Sequence, residues 1–162
     1  MRSILREKSQ DYFSILKHDK SHWVAFWEKY CQENAEFMSG YARALDLGKE
    51  EVASILKETN RPFLDKIKQK NEQIKHLKQN AAKTLNLYNE ELELSKEDFV
   101  IYLIGALGIQ DTISFKTKDR MICLIDIVSL YKNCKMEELQ NITLFTAKKA
   151  RKLINEQTQE GF

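Results

Sequence analysis

The sequence reads as one α+β domain, residues 1–162, with a helical part over 1–94 and a small sheet plus a C-terminal helix over 95–162. Three features carry this reading. Apolar residues recur at three- and four-residue steps through the first half, the spacing that lines one face of a helix. From Ser95 the period changes to short runs rich in β-branched and aromatic types, which suit strands. With 5 Gly, 1 Pro and no repeat or linker, nothing divides the chain into two cores.

Tyr12, Phe13, Ile15 and Leu16 mark a short amphipathic helix over 9–17. His18 to Ser21 breaks it, with Ser21 as N-cap of the next helix. Trp23, Phe26, Trp27, Tyr30, Phe37, Tyr41 and Leu45 form one stripe of a helix from about His22 to Leu45, and Gly48 punctuates its end. A shorter helix covers Glu50 to Leu56. Asn60-Arg61-Pro62 ends it and opens the longest element, about Pro62 to Leu92, since Pro fits a first turn. Lys70 and Lys78 fall on that helix's apolar stripe, so they snorkel at its edge or the helix leaves the core there.

Phe99 to Ile104 is apolar on both faces, as in a central strand covered on both sides. Gly105 and Gly108 end it. Thr112 to Thr117 alternates like a half-exposed strand, Lys118-Asp119-Arg120 turns the chain, and Met121 to Ile125 is a third strand. These give a small, mostly antiparallel sheet of about three strands. After a break at Asn133 a final helix runs to about Gln157, within which Ile142 to Phe145 reads either as helix or as a short strand.

The 26 Lys+Arg balance 24 Asp+Glu to a net charge of +2, which gives no general attraction to nucleic acid or anionic lipid. Lys outnumbers Arg 20 to 6, a split that favours solubility over phosphate recognition and hints at an AT-rich bacterial genome. Cys31, Cys123 and Cys134 are odd in number and form no C-x-x-C, as expected of a reduced cytoplasm. Met1 to Gln10 has no leader-like apolar run. The most apolar stretch, Phe99 to Ile109, is eleven residues, short of the ~20 that cross a bilayer.

No metal set or cofactor motif is apparent. His18 and His22 have four-residue spacing, but a break lies between them and no Glu completes H-E-x-x-H; His76 lies opposite the apolar stripe. Ser129-Leu130-Tyr131-Lys132 matches S-x-x-K without its supporting elements. Cys123 reads as a small core residue, and Cys31 follows the aromatic stripe. Cys134 sits in a turn beside Lys132 and Lys135, which would favour its thiolate. Glu90, Glu91, Glu93, Glu97 and Asp98 form an acidic run, ordinarily a solvated face. Asp126 follows an apolar strand directly, where it either caps the next helix or works on a ligand with Tyr102 or Cys134 nearby. Gly105-Ala106-Leu107-Gly108 has the G-x-x-G form of a nucleotide clamp, though its middle is apolar. Residues 57–83 carry a net +5 and residues 84–111 a net −5, opposed blocks that can orient a partner protein or a second copy.

Phe99-Val100-Ile101-Tyr102-Leu103-Ile104-Gly105 followed by Met121-Ile122-Cys123-Leu124-Ile125-Asp126 resembles bacterial zincin-like, metallopeptidase-related domains over about residues 65–130. In those a long helix leads into a strand of this form and then a second strand ending in an acid. The family's H-E-x-x-H helix should follow, but Leu139 to Ala150 contains no His and no Glu. The resemblance therefore implies a metal-free relative onto which no family catalytic residue carries over.

These readings lean away from an enzyme. They point to a cytoplasmic, non-catalytic interaction or regulatory domain whose partner is another protein or a second copy of itself. A small enzyme or ligand-binding protein acting around Asp126, with Cys134 as a further weak candidate, is the alternative. Weak nucleic-acid binding through the Lys-rich helix is disfavoured.

Overall fold

In the computed structural model, which describes residues 4–160, helices cover both faces of a four-stranded mixed sheet. The strands are β1 (Leu5–Glu7), β2 (Phe99–Ile104), β3 (Thr112–Lys116) and β4 (Met121–Asp126), in the order β1-β2-β4-β3. β1 and β4 both run parallel to β2, and only β3 is antiparallel, against β4. The fold is thus α+β as expected, but the mostly antiparallel, three-stranded sheet is not what forms. β1 is three residues long and reads Leu-Arg-Glu, too short and too charged to show a period. It also places a strand inside the segment read as helical, 1–94. β3 folds back along one edge of β4, which leaves β4's other edge free to lie parallel beside β2.

Every residue of β2 and β4 is buried, as their unbroken apolar runs require. Side chains alternate between faces. On one face Tyr102 lies beside Leu124, and Leu124 beside Ile113. Helices α1 (Trp23–Glu33), α2 (Ala35–Met38) and α3 (Tyr41–Ala44) belong to this side. The Phe37 ring stacks on Tyr102 with centroids 4.6 Å apart, and Gly40 lies so close to Phe115 that a Cβ there would fall 2.4 Å from its ring. The other face, with Phe99, Ile101 and Cys123, is covered by α6 (Asn71–Leu87) and α8 (Leu139–Glu160). Arg151 of α8 sits 5.5 Å over the Phe99 ring.

The helix expected over 22–45 is three pieces. Asn34 breaks it, donating from Nδ2 to the Tyr30 carbonyl at 2.9 Å, a side-chain bond that competes with the helical ladder. A second break at Ser39-Gly40 lets the backbone approach Phe115. Ser21 does not cap α1: it lies in a 3-10 turn, Lys20–His22, and α1 has no side-chain cap. Gly48 ends no helix but precedes α4 (Lys49–Glu58), its N–H donating to Glu51 Oε1 at 3.3 Å.

Asn60 caps α5 (Arg61–Gln69) by accepting from the Phe63 N–H at 2.9 Å, with Pro62 in the first turn as expected. The element expected over 62–92 is again broken. α5 stops at Lys70, where ψ is +20°, and α6 runs only to Leu87. That joint explains the lysine on the apolar stripe: Lys70 is exposed, its ammonium 4.9 Å from the Tyr131 ring centroid. Lys78 is half-buried, as a snorkelling side chain would be. After β4 come α7 (Ile127–Lys132), a turn at Asn133 and Cys134, and α8, within which Ile142 to Phe145 is helical. Among the described residues no helix is long and apolar enough to cross a membrane. Met1 to Ser3, part of the stretch read as lacking a leader, lie outside those residues.

Candidate functional site

β4 delivers Asp126, fully buried, to the end of the sheet. Its Oδ1 accepts from the N–H groups of Val128 at 2.9 Å and Ala106 at 3.1 Å, and its Oδ2 from Gly108 at 2.8 Å. The Val128 bond is the expected helix cap of α7. The other two tie the G-x-x-G segment after β2 to the head of α7. Burial pushes the Asp126 carboxyl up to about 7 against the pull of these amides.

The same segment is held from above by aromatic side chains. Leu107 N–H donates to Tyr41 Oη at 3.2 Å, and Tyr30 Oη donates to the Gly105 carbonyl at 3.0 Å. Gly105 is needed for closeness: a Cβ there would lie 2.9 Å from that of Tyr12. Gly108 is needed for its left-handed φ of +74°. The G-x-x-G amides at 106, 107 and 108 therefore bond inward, to Asp126 and Tyr41, and do not face outward as a nucleotide clamp would require. The phenols of Tyr12, Tyr30 and Tyr41 are raised well above their ordinary value, by burial first and by the Asp126 charge second.

Neither expected companion reaches Asp126. Tyr102 lies two residues nearer the start of its strand than Asp126's neighbour Ile104. Its hydroxyl accepts from Arg6 Nη1 at 3.0 Å and donates to Glu36 Oε1 at 2.8 Å, while Arg120 also donates to Glu36. Burial and the Glu36 bond raise its phenol. Cys134 is exposed, with a left-handed φ of +56°, and follows α7 at the end opposite Asp126. Six residues of helix, about 9 Å at 1.5 Å each, separate them.

The S-x-x-K pair also comes apart. Ser129 is fully buried and donates to Asp111 Oδ1 at 2.6 Å, whereas Lys132 is exposed. Asn133 and Lys135 donate to Asp111 as well, at 3.1 and 3.2 Å. Burial raises the Asp111 carboxyl, but these bonds outweigh it and hold it below its usual value. The cluster pins β3's entry to the end of α7. Cys123 is buried, as a core cysteine would be, and burial pushes its thiol up to about 11.

His18 and His22 line one cleft of about 640 Å³ beside α1, together with Asp11, Phe26, Lys29 and Glu33. Among the described residues no group of three or more His, Cys, Asp or Glu side chains is placed to hold a metal ion. His76 is exposed on α6. A second groove, about 500 Å³ and lined by Trp27, Cys31, Met38, Leu47 and Val52, runs between α1 and α4. Burial pushes the Cys31 thiol there up to about 12.

The acidic run has a partner that sequence reasoning missed. Arg151, 6% exposed, donates to both Asp98 oxygens at 2.7 and 2.9 Å and to the carbonyls of Leu92 and Glu93 at 2.8 and 3.3 Å. It clamps α8 to the turn between α6 and β2, where Glu93 and Glu97 both have left-handed φ. The only hint in the sequence is an arginine among Lys148, Lys149 and Lys152.

Compared with known proteins, the chain matches no family model, no curated protein and no solved structure.

Proposed function

We propose that this protein is a non-catalytic interaction or regulatory domain of the cytoplasm, a metal-free relative of the zincin-like domains that residues 65–130 resemble. One observation carries the reading: the polar groups that sequence offers for chemistry are consumed in holding the fold. Asp126 spends its oxygens on peptide N–H groups. Ser129 gives its hydrogen to Asp111, Tyr102 is shared between Arg6 and Glu36, and Cys134 stands apart from all of them. An enzyme or ligand-binding protein acting at Asp126 would have to break three buried hydrogen bonds before its carboxyl met a substrate. Meanwhile α8 turns Phe145 into solvent at 68% exposure, the kind of outward aromatic that anchors partners.

The test combines metal analysis and activity-based labelling of the purified protein with lysine-directed cross-linking in the source cells. Sub-stoichiometric zinc, no selective labelling of Cys134 or Ser129, and cross-links from α6 or α8 to a polypeptide are expected. Stoichiometric metal, or turnover of any substrate that Asp126→Asn abolishes without unfolding the protein, overturns the reading.

A further inference from the structure

The groove between α1 and α4 is absorbed by none of the contacts described above. Val24, Trp27, Glu28 and Cys31 line it from α1, at the three- and four-residue steps that share a helix face. Met38, Ala42, Leu47 and Val52 complete it from α2, α3, the loop after α3, and α4. Its volume of about 500 Å³ falls within the ~300–1,000 Å³ of small-molecule sites. One polar group on it is unspent. A buried indole N–H usually finds an acceptor, as that of Trp23 does in the His18 carbonyl at 3.0 Å. Trp27 is 5% exposed, yet its indole N–H has no acceptor among the described residues. Nor is that nitrogen sealed inside protein, and the open space that Trp27 lines is this groove.

We propose that this groove binds a neutral, mostly apolar small molecule carrying a hydrogen-bond acceptor, such as a carbonyl, for the Trp27 indole. The inference goes beyond the interaction reading above and does not depend on it. The lining decides among occupants. Its floor of Trp27, Met38 and Val52 is buried and apolar, so an occupant gains by leaving water. The charged side chains on it are Glu28 and Lys49, opposite in sign. A phosphate or carboxylate would be drawn to one and repelled by the other, which leaves a neutral molecule favoured. Cys31 adds packing and no reactivity, because burial alone pushes its thiol up to about 12 and keeps it protonated. A helix of another protein is too large. The groove follows α1 only from Val24 to Gln32, about 12 Å, and a helix about 10 Å thick over that length fills on the order of 900 Å³.

Nile red, a neutral dye with a carbonyl acceptor that brightens on leaving water, is the probe. It is expected to bind the purified chain saturably, one dye to one chain. At about ten times its Kd it should slow modification of Cys31 by methyl methanethiosulfonate about tenfold, without slowing that of the exposed Cys134. Ala42→Phe fills the groove, and Ser39→Trp, at an exposed position, blocks its rim. Each should abolish binding while circular dichroism shows the helical spectrum unchanged. Phe145→Ala removes the exposed aromatic of α8 and should leave binding as it was. Pyrene, apolar but without an acceptor, should bind about fivefold more weakly. The proposal is overturned by the absence of saturable binding, by binding that survives either blocking variant, or by its loss with Phe145→Ala. An unprotected Cys31, or pyrene bound as tightly as Nile red, overturns it as well. None of these outcomes touches the interaction reading, which the cross-linking above decides.

Discussion

At Asp126 a carboxyl group without solvent meets three peptide N–H groups, two from one segment eighteen and twenty residues upstream and one from two residues downstream. Its folded value near 7 stands above the ~3.9 of an unfolded aspartate. Between those values the folded protein holds a proton that the unfolded chain has released. Stability therefore falls as pH rises through that window, by an amount on the order of a few kcal/mol. Urea unfolding at pH 4.5, 5.5, 6.5 and 7.5 should show this decline, and Asp126→Asn should remove most of it. Asp126→Ala leaves the amide donors buried and unpaired, at roughly 1–3 kcal/mol each, and is expected to unfold well below the wild type at every pH. Arg151 supplies a second residue-scale test. Arg151→Met leaves Asp98 and two carbonyls without their donor and should cost about 3–5 kcal/mol, as breaking one side of a buried pair does. Arg151→Lys should recover little, because an ammonium cannot reproduce the two-pronged contact with Asp98. Thermal melts of both variants decide it.

Among the elements, the close approach of α2 and α3 to the sheet hangs on Gly40. Gly40→Ala would drive a methyl into the Phe115 ring and should destabilise by about 1–3 kcal/mol, the usual cost of overpacking. Phe115→Leu should relieve part of that cost, so the double variant is expected to be more stable than the sum of the singles. Chemical denaturation of the four proteins measures the coupling. The same contact shows why element boundaries escaped the sequence. The apolar spacing of Trp23, Trp27, Tyr30, Phe37 and Tyr41 was legible as helix because all five pack inward. The breaks at Gly40 and Lys70 sit at rings on other elements, Phe115 and Tyr131, and the break at Asn34 at a side-chain bond to the preceding turn; none of them leaves a trace in periodicity. β2 and β4 were legible because burial on both faces demands unbroken apolar runs. β1 was not, since three residues, two of them charged, are too few to show a period. For the candidate site, the cap at Asp126 could be read from its position before α7. Its bonds to Ala106 and Gly108, and Arg151's to Asp98, span too much chain for any local pattern to reveal.

For the molecule as a whole, β1 is the piece that closes the sheet. Ile101 N–H donates to the Ile4 carbonyl and Lys8 N–H to the Leu103 carbonyl, at 2.9 and 2.8 Å. Removing residues 1–8 would uncover the β2 edge, and an open apolar strand recruits other chains. The truncated protein is expected to scatter light and elute in the void volume at concentrations where the full chain is clear. Helix α8 lies on the same side of the sheet as Phe99 and away from the aromatic cluster over Asp126, so substitutions at Phe145 and at Asp126 should act independently.

The pairing of Arg6 with Tyr102 joins positions 96 apart, and this has a consequence for synthesis. A ribosome extending the chain at about 10 residues per second makes β2 roughly ten seconds after β1. Throughout that interval the first strand has no edge to join, while the helices between are already free to coil. The strand Leu5–Glu7 is thus made well before the strand it joins and settles only once that partner has emerged, a waiting period in which a chaperone would find its simplest handle.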